Sequence, residues 1–538
     1  KNKQVIFAND PHIGFAQPSV WYEAHVQTPS YERYGYHLAG VPFPLLAHDR
    51  NLAYGMTMFQ NDDVDFYYEE LNPEDSTQYK TVDGWKNFEI VIKKIKVKDA
   101  PEVEFTFNKS IRGPVLNGIA NQVSGESPIA MWWAYTRNKN EVIEALFEMA
   151  SATDIGGLQK ALPKIHAPGL NIMYGDAKGN IAWWATAKLY ETPDSVHTKF
   201  VIENTSSFPI DRAYLPFSEN PQAINPPWNF VYSANNQPDT INGKLYPGYY
   251  LPENRAKRIV KLLAPKNDWD KNEVEHMITD VTSAVDPTVL NNFVMALDLD
   301  QIDENDSEIL DRLRAWNGEH ELESVEATIF HRWEFEVMQK TFLDEMGSED
   351  FQNFINTHMS KRTIAPLSNN SASIWWDDVN TADTIETQTE IVQMAFNQAL
   401  QSLRNDFGDD VRKWTWNKVH TIEHEHPIGK VAALRSFFNV GPFSINGSRE
   451  VINNLYFPYT TDGFYKVSSG PSTRRVIDFS DIENSTSILP TGQSGNPFSK
   501  YYKNQAEMYN NGQFRKMMMN KEEIIDNADG TLLLKKNL

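Results

Sequence analysis

The 538-residue chain contains no cysteine. That excludes disulfides, zinc–thiolate centres and a cysteine nucleophile, and it suits the cytosol and the periplasm equally. The chain also lacks any run of roughly 18 apolar residues, and so any transmembrane helix. No secretory signal pattern opens it, an absence that carries no weight for an internal cleavage product. Cations are scarce: 50 Lys and Arg stand against 72 Asp and Glu, a formal net charge of −22. Nucleic acid is thereby disfavoured as a partner, because phosphate binding needs clustered positive charge. An anionic membrane surface is disfavoured for the same reason. The charge reads as a device for solubility. No repeat period and no long low-complexity linker is present.

What the chain has in quantity is apolar and aromatic. Hydrophobic residues make up 41%, with 14 Trp, 22 Tyr and 29 Phe. This supports a sizeable core and argues against long disorder. Residues 1–260 read as short strands, with Val5–Ala8, Phe66–Glu69, Phe88–Val97 and Glu104–Asn108 grouping β-formers between turn signals. Tyr174-Gly175-Asp176 and Ile181-Ala182-Trp183-Trp184 flank Ala177-Lys178-Gly179-Asn180, a hairpin pattern. Glu141–Ala150 reads as a short helix, with Val142, Ala145, Leu146 and Met149 on one face. From about 253 to 410 the period becomes helical, through Arg255–Leu263, Ile309–Trp316, Ala327–Met346 and Glu390–Leu403. After Trp414 the chain returns to turn-rich structure, with strands expected at Val451–Phe457 and Arg475–Phe479 and a hairpin-like end near 492–497. The expected organisation is a β-rich core in two parts, 1–260 and 411–538, around a mainly helical insertion, 261–410.

Four groups of residues carry chemistry. Asn9-Asp10-Pro11-His12-Ile13-Gly14 follows the first strand-like run. Tyr54-Gly55-Met56-Thr57-Met58 precedes Asn61-Asp62-Asp63-Val64-Asp65. Tyr232-Ser233-Ala234-Asn235-Asn236-Gln237-Pro238 precedes Arg255. Arg112-Gly113-Pro114-Val115, Gly441-Pro442-Phe443 and Gly492–Ser499 lie further along. Taken singly, His12 reads as a turn histidine, Asn235-Asn236 as a turn pair, Arg255 as a solvated cation at a helix start, and Asp62–Asp65 as an acidic turn. Their order and spacing together resemble the β subunit of the penicillin acylase family, which also contains acyl-homoserine lactone acylases. The resemblance covers nearly the whole chain.

The resemblance implies an α+β fold, the N-terminal-nucleophile hydrolase αββα sandwich, here with a large helical insertion. It implies a hydrolase that cleaves the amide of N-acylated small molecules by acyl transfer to an N-terminal serine. That serine is expected just upstream of Lys1, by roughly ten residues. The residue's own α-amine serves as base, because its unperturbed pKa of roughly 7.7–8.0 leaves much of it neutral near neutral pH. By position, the Met58 backbone N–H and the Asn235 side-chain amide are the oxyanion donors, with His12 and Arg255 orienting and tuning the site. Ile13, Leu46, Met56, Phe147 and Leu170 match the acyl pocket, and their aliphatic character suits a fatty acyl chain; ordinary core packing would suit each equally. Asp62, the Val64 carbonyl and Asp65 match a structural calcium site, whose later aspartate has no counterpart in Ile241–Leu251. No organic cofactor is implied. An α subunit cut from the same precursor and a periplasmic or secreted location are.

Two other classes stand beside this. One is a non-catalytic relative or binding module that kept the fold. The other is a histidine-ligated metal hydrolase built on His420, His424 and His426 with Glu423 and Glu425. There His424 and His426 would share a strand face, or His420 and His424 a helix face, though neither arrangement gives the helical H-E-x-x-H pattern. Gly492-Gln493-Ser494-Gly495 sets its second glycine one place too early for a nucleophile elbow.

Overall fold

The computed structural model describes residues 4–535 except 124, 204–208 and 242. Two antiparallel sheets form its centre. The smaller begins with Ile6–Asn9, which pairs from Ile6↔Asp478 to Asn9↔Arg475 with the strand Arg474–Asp478. Thr486–Ile488 and Arg515–Lys516 complete this sheet, which leaves Ile6–Asn9 at one edge. The larger sheet has seven strands, in the order Gln222–Ile224, Ile181–Thr186, Leu170–Asp176, Leu52–Met58, Leu46–His48, Tyr31–His37 and Tyr22–Thr28.

Side-chain alternation assigns each sheet an inner and an outer face. Along Leu52–Met58, Ala53, Gly55 and Thr57 face the small sheet. A Cβ on Gly55 would lie 2.5 Å from Asn9 Oδ1, so the two backbones approach more closely there than any side chain permits. The alternate residues Leu52, Tyr54 and Met56 share a core with Ala145, Leu146 and Met149 of the helix Val142–Ser151 and Leu158 of the helix Ile155–Ala161. Beyond the small sheet, Ile6, Ala8 and Val476 meet Val274 and Ile278 of the helix Lys271–Ile278. The order of layers is therefore helix, sheet, sheet, helix. The small sheet draws strands from both ends of the chain.

A second core is helical. Asp286–Ala296, Glu304–Arg314, Val325–Ile355, His358–Ser368 and Gln388–Phe407 enclose Phe293, Phe330, Trp333, Phe396 and Trp416. The longest of these helices is broken at Gly347, whose φ of 69° belongs to glycine. Reciprocal capping boxes start the helices at Asp270/Glu273 and Thr387/Glu390.

Three expected elements differ from what forms: the hairpin-like end near 492–497 is irregular, with no strand between Thr486–Ile488 and Arg515–Lys516 among the described residues, and two others are displaced or absent. Val451–Phe457 is not a strand; it makes only the isolated bridges Ser448↔Asn454 and Tyr456↔Ser469. Its asparagines compete with a ladder, because Asn454 Oδ1 accepts from Glu450 N and Asn453 Nδ2 donates to the Asn446 carbonyl. The helix expected over Ile309–Trp316 runs earlier, over Glu304–Arg314, and Trp316 lies past its end, where its indole N–H donates to the Glu319 carbonyl.

Candidate active site

The site forms where Leu52–Met58 ends. Met58 is opposite Leu170 and Thr57 is opposite Asn171. The neighbouring strand on the other side, Leu46–His48, has its last pairing at Tyr54. The Met58 N–H therefore points past the end of that short strand, clear of the ladder. The Met58 carbonyl accepts two side-chain amides, Asn171 Nδ2 at 2.9 Å and Asn235 Nδ2 at 2.8 Å. Asn235 sits in the left-handed region at φ 59°, a conformation asparagine tolerates better than most residues. Its Oδ1 accepts from Arg255 Nη2 at 2.8 Å, and the same nitrogen donates to the Ala234 carbonyl at 2.7 Å. A guanidinium only donates, so it fixes which end of the Asn235 amide carries hydrogens toward Met58. One of those two hydrogens serves the Met58 carbonyl; the other is free to meet a ligand.

Arg255 lies in the first turn of the helix Asn254–Leu263 and is buried. Burial lowers its pKa, while the Glu450 and Asp10 carboxylates hold it up. His12 opens the short strand His12–Gly14, paired with Ser469–Pro471. Its Nε2 lies 3.2 Å from Asp10 Oδ2. Burial holds the imidazole below the usual histidine range; Asp10 opposes this, and the positive charges of Arg255 and Arg474 add to it. His12, Asp10, Arg255, Asn235 and Met58 thus belong to one electrostatic neighbourhood at one end of the two sheets. Beside it, along Ile6–Asn9, runs a groove of about 610 Å³ whose lining includes Phe7, Asp10, Thr57, Tyr232, Ser233 and Ile259.

The sequence profile described as penicillin amidase matches residues 1–526. The chain belongs to the penicillin amidase family. It is 25% identical over 552 residues to the acyl-homoserine lactone acylase QuiP of Pseudomonas aeruginosa, covering 95% of this chain and 64% of that protein. It is 22% identical over 521 residues to the penicillin acylase 2 proenzyme of Pseudomonas sp. strain SE83, covering 93% of this chain and 63% of that protein. The chain thus spans less than two thirds of the length of these relatives. The thermostable penicillin G acylase of Alcaligenes faecalis has the same fold, with a TM-score of 0.73 at 18% identity over 99% of this chain and 97% of that one. The four-layer sandwich is the N-terminal-nucleophile hydrolase fold.

Within this family member, the five expected pocket residues separate into two kinds. Leu46 is fully buried, and Met56 and Leu170 nearly so; all three are packed in the core of the large sheet. Ile13 is half-buried at the margin of the same core. Phe147 points outward from Val142–Ser151 at 56% exposure, with its ring 5.9 Å from that of Phe43.

Asp62 and Asp65 are buried. Asp65 Oδ2 accepts from Arg212 Nη2 at 2.7 Å, and Arg212 lies over the Trp132 ring at 4.4 Å. The Oδ1 atoms of both aspartates are buried without a hydrogen-bond partner among the described residues. Burial, with Asp65 adding, pushes the Asp62 carboxyl up to about 7. Two orphaned carboxylate oxygens are donors of the kind a hard cation takes, although Arg212 already supplies one positive charge.

The histidine row does not converge. His420–His424 is a strand, not a helix, so His420 and His424 share its buried face with Ile422 between them. His420 Nδ1 donates to the Ile445 carbonyl at 2.7 Å and its ring stacks on Trp416; His424 meets Phe15 edge-on. Glu423 turns away to pair with Arg435, and His426, beyond the strand, caps the turn at Ile428.

Sequence reasoning passed over Asn171, Thr57 and Ser233. Asn171 Nδ2 also reaches Ser233 Oγ, its Oδ1 accepts from Trp183 Nε1 at 2.9 Å, and Ser233 Oγ lies 2.8 Å from Thr57 Oγ1. The available signal was an asparagine at an inward position of an otherwise apolar strand. Arg475, buried between the sheets, bonds Asn9 Oδ1 at 3.2 Å, and it was likewise unremarked.

Proposed function

We propose that this chain is the large subunit of an amide hydrolase that works through an N-terminal serine, carried by the segment preceding Lys1. The observation that supports this most directly is the Arg255–Asn235–Met58 relay. It leaves one oriented amide N–H beside one backbone N–H that is outside the sheet ladder. Two such donors suit the oxyanion of a tetrahedral intermediate. Among the described residues Ile6–Asn9 is paired on one side only. A preceding strand laid on its other side, along the groove, would bring its end toward Asp10, Thr57 and Ser233.

In this reading the serine hydroxyl loses its proton to its own α-amine and attacks the amide carbon. The oxyanion is held by Met58 N–H and Asn235 Nδ2. The amine leaves with the proton, and water then attacks the ester by the same route. His12, kept neutral by burial, accepts or donates one hydrogen bond near the terminal amine without adding charge. Substrates are N-acylated small molecules of the penicillin or acyl-homoserine-lactone kind. The acyl chain enters over Phe147, Phe43 and Ile13. A smaller subunit from the same precursor, and export to the periplasm or the medium, complete the proposal. Calcium held by Asp62, the Val64 carbonyl and Asp65 would have a structural role, tying the loop before Val64–Tyr68 to the body.

N-terminal sequencing and intact mass of the natural large subunit test the mechanism. A serine start a short distance before Lys1 is expected; any start other than Ser, Thr or Cys ends the proposal. Comparing release of fatty acid with release of phenylacetic acid tests the pocket, and a clear phenylacetyl preference would contradict the aliphatic assignment.

A further inference from the structure

Within the helical core lies a group of polar side chains that the hydrolytic mechanism does not use. Asp286 begins the helix Asp286–Ala296, His320 sits on the turn after Glu304–Arg314, and His331 lies in the second turn of Val325–Ile355. All three are buried, and one ligand atom from each lies within 4.8 Å of the others. His320 Nε2 is 3.1 Å from His331 Nε2 and 3.7 Å from Asp286 Oδ2.

The hydrogen bonds on the far side of each ring decide what those nitrogens carry. His320 Nδ1 is 3.3 Å from the Val281 carbonyl, which can only accept, so Nδ1 holds the hydrogen. His331 Nδ1 is 2.7 Å from Tyr459 Oη, and the Tyr459 hydroxyl donates to Glu334. The tyrosine oxygen therefore accepts, and His331 Nδ1 also holds the hydrogen. Both neutral rings consequently turn an Nε2 lone pair toward the same point. Two lone pairs at 3.1 Å repel unless a cation lies between them. Two imidazole nitrogens on one tetrahedral zinc, with bonds of about 2.0–2.1 Å, would stand about 3.3 Å apart. A carbonyl and a tyrosine–carboxylate pair orienting the distal N–H groups is the supporting arrangement that ligating histidines ordinarily have.

We propose that Asp286, His320 and His331 form a structural site for one zinc-like divalent cation, separate from the hydrolytic centre. Ser448 Oγ, 2.9 Å from His331 Nε2, is positioned to complete the ligand set. A cavity of about 30 Å³, lined by Asp286, His331, Glu334, Lys361, Arg449 and Glu450, gives room for a water instead. Lys361 is paired with Glu450, and the Glu334 carboxylate lies in the field of Arg449, whose guanidinium nitrogens have no hydrogen-bond partner among the described residues. Such an ion would pin three consecutive parts of the helical core at one point.

The test uses the full enzyme with both subunits, stripped of metal by a chelator and resupplied with calcium. Cobalt(II) is then titrated and visible d–d absorption recorded, a signal calcium cannot give. One equivalent with a tetrahedral-type band, displaced by zinc, is expected in the wild type. His331→Gln should abolish the band, and Asp286→Asn, the milder change, should weaken binding by about tenfold or more. Absence of a band in a wild-type protein whose melting temperature zinc does not move would overturn the proposal and assign a shared proton to the pair. A band that persists in both variants would overturn it equally.

Discussion

Asn235 illustrates how much one side chain depends on its neighbours. Its amide is aimed by Arg255 from one end and tied to the Met58 carbonyl at the other. On the proposed mechanism, Asn235→Ala removes one oxyanion donor and should lower kcat by about 10²–10³ with KM little changed. Arg255→Lys keeps the charge but replaces the rigid planar group, whose Nη2 meets both Asn235 Oδ1 and the Ala234 carbonyl, with a shorter head that rotates freely and aims Asn235 less firmly. If Arg255 acts only by aiming Asn235, the double variant should be no slower than Asn235→Ala alone. Steady-state kinetics of the four proteins on a chromogenic N-acyl amide would decide this. An additive loss would mean that Arg255 also touches the reacting groups.

At the scale of elements, the close approach of the two sheets is the feature least tolerant of change. A Cβ on Gly55 would meet Asn9 Oδ1 at 2.5 Å, Asn9 Cγ at 2.7 Å and Arg475 Nη2 at 3.0 Å. Asn9 and Arg475 are themselves buried and bonded to each other, so neither can swing away freely. Gly55→Ala should destabilise the protein by about 1–3 kcal/mol, read as a lower urea midpoint. The glycine was visible in the sequence as part of Tyr54–Met58, but its reason was not, because the atoms it avoids belong to Asn9 and to Arg475, neither of them near it along the chain. The loop at Asp62–Asp65 raises a parallel question. If calcium satisfies the orphaned Oδ1 atoms, chelation should lower the melting temperature, and calcium should restore it. Arg212→Met should make that dependence steeper, since Asp65 would then have no cation but the metal. A melting temperature indifferent to chelator would mean that Arg212 alone neutralises the loop.

Across the whole molecule, the sequence reveals periodicity better than partnership. The hairpin Leu170–Asp176 and Ile181–Thr186, the helix Val142–Ser151 and the helical middle are local patterns, and they form close to where the residues indicate. The pairing of Ile6–Asn9 with Arg474–Asp478 spans nearly the whole chain and left no local trace. The Asp286–His320–His331 group was unread for the same reason, being assembled from three separate segments, whereas the conspicuous row at 420–426 scattered. Burial of histidines also has a global consequence. His48 and His424 have both ring nitrogens buried without a partner among the described residues. Burial lowers His48 well below the usual range, His424 to about 4 and His420 to about 3. As pH falls below about 6.5, the unfolded chain takes up these protons and the folded protein does not, so stability declines. The loss continues until the folded histidines themselves titrate, near 4 for His424 and near 3 for His420. In the metal-free protein, carboxyls that burial raises act in the opposite sense across the whole of this window, because each binds a proton when folded before it does when unfolded: Asp62 and Glu345, each pushed up to about 7, and Asp286, raised well above the usual range. The histidine contribution is therefore isolated by difference, from the slope of the urea midpoint against pH in the wild type and in a variant, between about pH 6.5 and pH 4.5. His424→Leu, which removes one titrating ring from an apolar setting beside Phe15, should reduce that slope by the equivalent of one proton. A slope unchanged in the variant would show that this ring is hydrated and charged in the folded protein.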